Sequence, residues 1–239
     1  MAPFEIHGVF DVLAWIAAAG MAAFVVRWRP LSFPVTRGHR QSYFAALVAG
    51  SAFGAYLFGT LNLWMSGMPG FGRSIEGAIF GGILAVEGWK RIEGVSARTG
   101  ARYAAPLAIG VAVGRIGCYL SGIEDFTHGV PTDLPWAHDF GDGVLRHPVQ
   151  IYESLAMAGF LIVYLWKIAR RDAFWAENGF YLAVGYYGAQ RFLWEFIKPY
   201  GPVVGQFTIF HILSGALLVY AIAMLCSGAR TFGRETITA

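Results

Sequence analysis

Residues 113–125 read VGRIGCYLSGIED and place an arginine, Arg115, inside a glycine-rich apolar stretch. The rest of the chain is similarly apolar, since 56% of its 239 residues are hydrophobic and 14% are charged. A soluble domain carries roughly 25% charged residues, which cover the outer faces of its helices. The composition therefore indicates a helical protein that is embedded in a membrane.

A helix of about 20 predominantly apolar residues spans the hydrocarbon core of a bilayer. Seven segments approach that length, at residues 8–26, 43–64, 73–89, 104–122, 149–167, 178–197 and 206–226. The third is the weakest because it contains Arg73, Glu76 and Glu87. We predict an all-α integral membrane protein with seven transmembrane helices. Residues 1–239 would form a single polytopic domain, with an outer-side loop at residues 123–148 between helices four and five.

The basic residues predict the orientation, because lysine and arginine concentrate in cytoplasmic loops. Thirteen of the 18 basic residues follow the first, third, fifth and seventh segments: Arg27, Arg29, Arg37, Arg40, Lys90, Arg91, Arg98, Arg102, Lys167, Arg170, Arg171, Arg230 and Arg234. Seven spans place all of them on one side of the membrane, whereas six spans would scatter them. We therefore expect the N-terminus outside and the C-terminus in the cytoplasm.

The remaining basic residues lie in or near the outer halves of the segments: Arg73, Arg115, Arg146, Arg191 and Lys198. An arginine at mid-bilayer costs about 2.5–3.5 kcal/mol, so it usually faces the bundle interior and has a partner. One interpretation is a set of structural ion pairs with Glu76, Glu153 and Glu195. The other is an anion site, because planar guanidinium groups match the oxygens of a phosphate. At a membrane, that phosphate would belong to an anionic phospholipid headgroup.

Residues 187–196, YGAQRFLWEF, place Tyr187, Arg191 and Glu195 four residues apart, which is one face of a helix. This face is either an internal hydrogen-bonded brace or a substrate-binding edge on which Glu195 holds Arg191. In residues 72–82, GRSIEGAIFGG, Glu76 lies inside an apolar segment and is a candidate general base or an ion-pair partner. The glycines of this stretch permit close contact between helices.

Residues 146–154, RHPVQIYES, open the fifth segment, and Pro148 suits a first helical turn. His147 is a candidate general acid or base, although a histidine before a helix is commonly a loop or capping group. His128 and His138 share the outer loop with acidic residues, but their spacing is not diagnostic of a metal site. We predict no metal ligands.

Four motifs, taken in order, resemble the prolipoprotein diacylglyceryl transferase family: GRIG at 114–117, PTDLPW at 131–136, RHPVQIYE at 146–153, and YGAQRF at 187–192 followed by WEF. The resemblance covers most of the chain. It implies transfer of the diacylglyceryl group of phosphatidylglycerol to the thiol of a lipobox cysteine, with release of glycerol-1-phosphate. It also implies the outer leaflet of the bacterial inner membrane, no cofactor or metal, and no nucleic-acid partner.

By this resemblance Arg115 matches the essential arginine of the family's central motif, and Tyr187 and Arg191 match its late tyrosine and arginine. We expect Arg115, Arg191 and Glu76 to be catalytic, the arginines binding phosphate and Glu76 acting as base. The expected substrate-binding residues are Arg73, Gly114, Arg146, His147, Gln150, Tyr152, Glu153, Tyr187 and Glu195.

The chain also departs from the family pattern. Residues 75–78 read IEGA where the family usually has FHGG, so Glu76 replaces a histidine, and Cys118 replaces an asparagine. The phosphatidylglycerol donor is therefore better supported than the acceptor, which is a prolipoprotein thiol or another outer-side nucleophile such as a glycan or a small alcohol. The alternative is a non-catalytic or lipid-moving membrane protein that binds anionic phospholipid.

Overall fold

The computed structural model describes residues 3–235 and the side chains of residues 6–227. Its fold consists mainly of seven long helices. The helices are α1 Pro3–Trp28, α2 Arg40–Met65, α3 Ile75–Ile92, α4 Ala104–Leu120, α5 Val149–Ala169, α6 Ala173–Glu195 and α7 Ile209–Glu235. Each predicted segment corresponds to one helix, so the helical architecture is confirmed. The side chains of Arg230 and Arg234 lie outside the described residues.

The helix α6 begins at Ala173, five residues before the predicted segment. Asp172 caps this helix, because its side chain accepts a hydrogen bond from the backbone N–H of Trp175. The apolar pattern places the start of this helix too late, because Glu177 and Asn178 in its first turns are polar.

Five helical segments among the described residues are long and apolar enough to cross a membrane: Ile6–Trp28, Arg37–Met65, Ala101–Leu120, Val149–Ala169 and Ile209–Ser227. The helices α3 and α6 do not reach this threshold. Both carry charged side chains that point into the bundle, which lowers their apolar character without exposing charge to lipid. Seven spans and their orientation therefore stay predictions.

Glycines allow α2 and α3 to pack closely against each other. A Cβ atom added at Gly54 of α2 would overlap the carbonyl oxygen of Gly77, and one added at Gly81 of α3 would overlap the carbonyl oxygen of Gly50. The expected close contact through the glycines of residues 72–82 is therefore present, with α2 as the partner. This contact brings the start of α3 into the bundle, and with it Glu76.

The helix α4 packs against α1 on one side and α5 on the other, while α6 packs against α7. Small residues such as Ala104 and Ala108 are fully buried on α4, where they meet larger buried side chains such as Met157 of α5 and Tyr187 of α6. Close packing of this kind compensates for the lack of a hydrophobic driving force between helices in lipid.

Residues 121–148 connect α4 to α5 and contain a short antiparallel hairpin of β1 His138–Asp139 and β2 Leu145–Arg146. The Asp139 carboxylate accepts hydrogen bonds from the backbone N–H groups of residues 141, 142 and 143. Arg146 donates two hydrogen bonds to Asp142 and thereby lowers the pKa of that carboxyl. This hairpin is the one feature of the connection that the all-α prediction lacks.

Candidate active site

Six charged side chains meet at one end of the bundle, where α3, α5 and α7 begin and α4 and α6 end. We name them the buried charge cluster: Glu76, Arg115, Glu153, Arg191, Glu195 and Lys198. None is more than 8% exposed. Three carboxylates face three cations, so the formal charge of the cluster is zero. This balance is what burial requires, since an unpaired charge inside a protein is very costly.

Arg191 has a carboxylate at each of its guanidinium nitrogens. Its Nε donates to Glu76 at 3.1 Å, and its Nη1 donates to Glu153 at 2.7 Å. Its Nη2 lies 2.9 Å from Glu195, one helical turn away on α6. The structure thus brings together Arg191 and Glu195 as the four-residue spacing predicts, and each of the three guanidinium nitrogens of Arg191 contacts a carboxylate.

Glu153 lies at the centre of the buried charge cluster. Its two oxygens lie 2.7 Å from Nε of Arg115, 2.7 Å from Nη1 of Arg191 and 3.2 Å from Nζ of Lys198. Glu153 therefore links α4, α5, α6 and the segment after α6. The sequence identifies Glu153 as an available partner, but it does not show that one carboxylate serves three cations.

Two hydroxyl groups near the start of α7 complete the cluster. Ser214 donates a hydrogen bond of 2.6 Å to Glu76, and Thr208 donates one of 2.5 Å to Glu195. The rings of Tyr200 and Phe210 lie 5.9 and 5.1 Å from the Arg191 guanidinium carbon. None of these four residues is in the predicted site, and no charge pattern in the sequence singles them out.

A cavity of about 1,420 Å³ begins beside the buried charge cluster and continues between the helices. It is larger than the roughly 300–1,000 Å³ of ordinary small-molecule pockets. Arg115 and Arg191 contribute to its wall at the polar end, and apolar side chains such as Leu47, Ile83 and Leu107 line it further along. On α4 alone the lining runs from Pro106 to Cys118, about 18 Å at 1.5 Å per residue.

Arg115 differs from Arg191 in how it is paired. Its Nε faces Glu153, and its Nη1 lies 3.9 Å from the sulfur of Cys118. In the part of the chain that the structure describes, neither Nη nitrogen of Arg115 donates a hydrogen bond to a carboxylate. Arg115, which lines the cavity, therefore keeps Nη donors that are available to an anionic ligand.

The other predicted site residues are distributed between the cavity and its surroundings. Arg73 and Gly114 line the cavity, and Arg73 also pairs with Asp11 at 3.1 Å. Glu76 is absent from the lining among the described residues, because its carboxylate faces Ser214 and Arg191. Tyr187 is fully buried in the core against α4 and α5.

The RHPVQIYE motif lies beside the cavity, and none of its residues lines the wall. Nδ1 of His147 lies 3.3 Å from the hydroxyl of Tyr152, which accepts a hydrogen bond from Trp136 in the outer loop. Gln150 donates to Thr127. Arg146 belongs to the hairpin, so the structure places it apart from Arg115 and Arg191. The motif therefore fixes the outer loop onto α5.

The family model described as "Prolipoprotein diacylglyceryl transferase" matches residues 4–227. The chain belongs to this family. A relative from Geobacter sulfurreducens, named phosphatidylglycerol–prolipoprotein diacylglyceryl transferase, is 30% identical over 74% of this chain and 72% of its own length. Relatives with the same name from Solidesulfovibrio magneticus and Methylococcus capsulatus are 34% and 31% identical, over 70% of this chain and 62% and 63% of theirs.

Membership of the prolipoprotein diacylglyceryl transferase family places the chain among bacterial membrane enzymes of the transferase class. The names of the relatives give phosphatidylglycerol and prolipoprotein as their substrates. The buried charge cluster and the apolar cavity are the features of this chain that such substrates would meet.

Proposed function

We propose that this protein transfers the diacylglyceryl group of phosphatidylglycerol to a thiol on the outer side of the bacterial inner membrane. The observation that carries the proposal is the position of Arg115, which lines an apolar cavity of about 1,420 Å³ and whose Nη groups donate to no carboxylate among the described residues. A phosphodiester headgroup would lie at the polar end against Arg115. The two acyl chains would extend along the apolar lining of the cavity.

Arg115 and Arg191 have different roles in this proposal. Arg115 binds the phosphate and stabilises the charge that develops on its oxygens as the carbon–oxygen bond breaks. Arg191 positions Glu153, which in turn holds Nε of Arg115. Glu195 and Glu76 hold Arg191 at its other two nitrogens. The contacts of Glu76 thus favour a positioning role for this residue over the role of general base that the sequence suggests.

The orientation that the basic residues predict supports the same site. With seven spans and the N-terminus outside, the buried charge cluster lies at the outer end of the bundle, where a secreted prolipoprotein would present its cysteine. Arg73 lies at this end with its side chain 49% exposed. It is therefore available to guide an anionic headgroup towards the cavity.

The test measures release of glycerol phosphate from labelled phosphatidylglycerol by the protein in lipid nanodiscs, with a lipobox peptide as acceptor. A matched peptide with serine in place of cysteine is the control acceptor, and a glycan and a small alcohol are further acceptors. We expect release with the thiol peptide, and at least a 100-fold loss in Arg115→Ala, since one electrostatic donor contributes about that much. Phosphatidylglycerol binding without release by any acceptor, in folded protein, would refute the transferase proposal in favour of a lipid-binding or lipid-moving protein.

A further inference from the structure

A histidine of the first helix lies at the polar end of the cavity, next to an acidic side chain of the turn after α4. Nδ1 of His7 is 2.7 Å from an oxygen of Asp125, a hydrogen-bonding distance. Both side chains line the cavity. The contact exists because α1 packs along α4 and because residues 122–125 form a short helical turn that brings Asp125 back over α1.

Asp125 is itself held by a relay of hydrogen bonds from the family motif on α5. The hydroxyl of Thr127 donates to Asp125 at 2.6 Å, and Nε2 of Gln150 donates to the hydroxyl of Thr127 at 3.2 Å. Gln150 is fully buried, so the far end of the relay is fixed. Such supporting contacts are what hold an acid–base group in one orientation.

The contact with Asp125 determines which nitrogen of His7 is available. A carboxylate at Nδ1 favours the tautomer with the proton on Nδ1, which leaves Nε2 with a lone pair. The nearest carboxylate to Nε2 is Asp11 at 3.5 Å, beyond an ordinary hydrogen bond, and Arg73 pairs with Asp11. Nε2 is therefore free to accept a proton from a ligand in the cavity.

We propose that His7 is the base that takes the proton from the acceptor thiol and that Asp125 positions it. This inference rests on the proposed function. As the thiol proton moves to Nε2 of His7, the sulfur forms a bond to the glyceryl carbon that carries the phosphate. The bond from that carbon to the phosphate oxygen breaks, and its electron pair stays on the oxygen. The leaving glycerol phosphate then takes the proton from His7, which returns to its starting state.

The same atoms also suggest a metal site, because nitrogen of His7, sulfur of Cys118 and a carboxylate oxygen of Asp125 lie within 4.8 Å of one another. Two arginines near these groups disfavour a metal ion. Arg115 is 3.9 Å from the sulfur of Cys118, and Arg73 neutralises Asp11. A divalent ion among these groups would face like charge, whereas a neutral imidazole base would not.

The main test is His7→Asn, which keeps a hydrogen-bond donor near Asp125 but removes the basic nitrogen. We expect kcat for glycerol phosphate release to fall by at least about 100-fold, the usual lower contribution of a general base, with KM for phosphatidylglycerol within threefold. His39→Asn is the matched control, because His39 is an exposed histidine in the turn before α2, and it should retain wild-type kcat. A His7→Asn kcat within threefold of wild type would refute the proposal.

Variants of His7 and Asp125 distinguish the loss of a catalytic base from a general disturbance of the fold. In His7→Ala, added imidazole should restore release in proportion to its concentration, and an absence of rescue in folded protein would count against the base. Asp125→Asn should lower kcat about tenfold with little change in KM, and Asp125→Glu should recover part of the loss; equal effects of both variants would argue against a positioning role.

The metal content of the purified protein decides the remaining alternative. One equivalent of zinc that is lost in both His7→Asn and Cys118→Ser would overturn the proposal, and metal-free active protein supports it. If wild-type protein releases no glycerol phosphate with any acceptor, the proposed function fails as a whole. If wild type is active and His7→Asn is equally active, only the assignment of the base fails.

Discussion

Glu153→Gln removes the central carboxylate of the buried charge cluster with almost no change in shape. Glu153 faces Arg115, Arg191 and Lys198 at distances of 2.7 to 3.2 Å, and it is fully buried. The variant leaves three buried cations with two carboxylates. Removal of one partner from a buried ion pair costs about 3–5 kcal/mol, because the remaining charge has no compensation.

The expected loss in thermal stability follows from the size of the chain. For a protein of this length, 1 kcal/mol corresponds to a Tm change of about 2–4 °C, so we expect Tm to fall on the order of 10 °C. The measurement is thermal unfolding in detergent micelles followed by intrinsic fluorescence. Glu177→Gln is the matched control, because it makes the same substitution at an exposed position of α6.

A second substitution tests whether the loss of charge balance causes the lower stability of Glu153→Gln. Glu153→Gln combined with Lys198→Met leaves two arginines and two carboxylates, a neutral set. We expect this double variant to recover at least about 1 kcal/mol relative to the sum of the two single effects, since the residues are in contact. Equal stability of Glu153→Gln and Glu177→Gln, or strict additivity in the double variant, would refute the reasoning.

Three further predictions concern packing, hydrogen bonding and the ligand. Gly54→Ala should destabilise the protein by about 1–3 kcal/mol in the same unfolding assay, because its Cβ would overlap α3, whereas Gly159→Ala, with open space around it, should not. Ser214→Ala should cost about 1–3 kcal/mol, since it removes the 2.6 Å hydrogen bond to a buried carboxylate. Arg115→Lys should lower kcat for glycerol phosphate release at least tenfold while Tm changes little, because a lysine keeps the charge but loses the planar fork.

The helices are readable from the sequence because the bilayer imposes a simple rule on length and apolarity. That rule fails for α3 and α6, the two helices that carry Glu76, Arg191 and Glu195 into the interior. A helix with several charged residues does not meet the criterion for a transmembrane span when each charge is counted separately. Its charges are tolerated because residues from other helices neutralise them, and this is a property of the fold.

The contacts within the buried charge cluster were only partly predictable from the sequence. The four-residue spacing correctly places Glu195 beside Arg191, because helix geometry alone determines that contact. The contact of His7 with Asp125 spans more than 100 residues of sequence and depends on how α1 packs along α4. A pattern within one helix carries no information about such a pair, so the sequence motifs did not indicate the contact between His7 and Asp125.

The environments of the two arginines are the basis for the different roles that we propose for them. Arg191 is surrounded by three carboxylates, which fix it but also cancel its charge, so alone it would attract an anionic headgroup poorly. Arg115 shares one of those carboxylates through Nε and lines the cavity. Because Glu153 divides its charge among Arg115, Arg191 and Lys198, the cluster keeps Arg115 incompletely neutralised. In this proposal the pairing of Arg191 leaves Arg115 to bind phosphate, a division of roles that the sequence motifs do not reveal although they contain both residues.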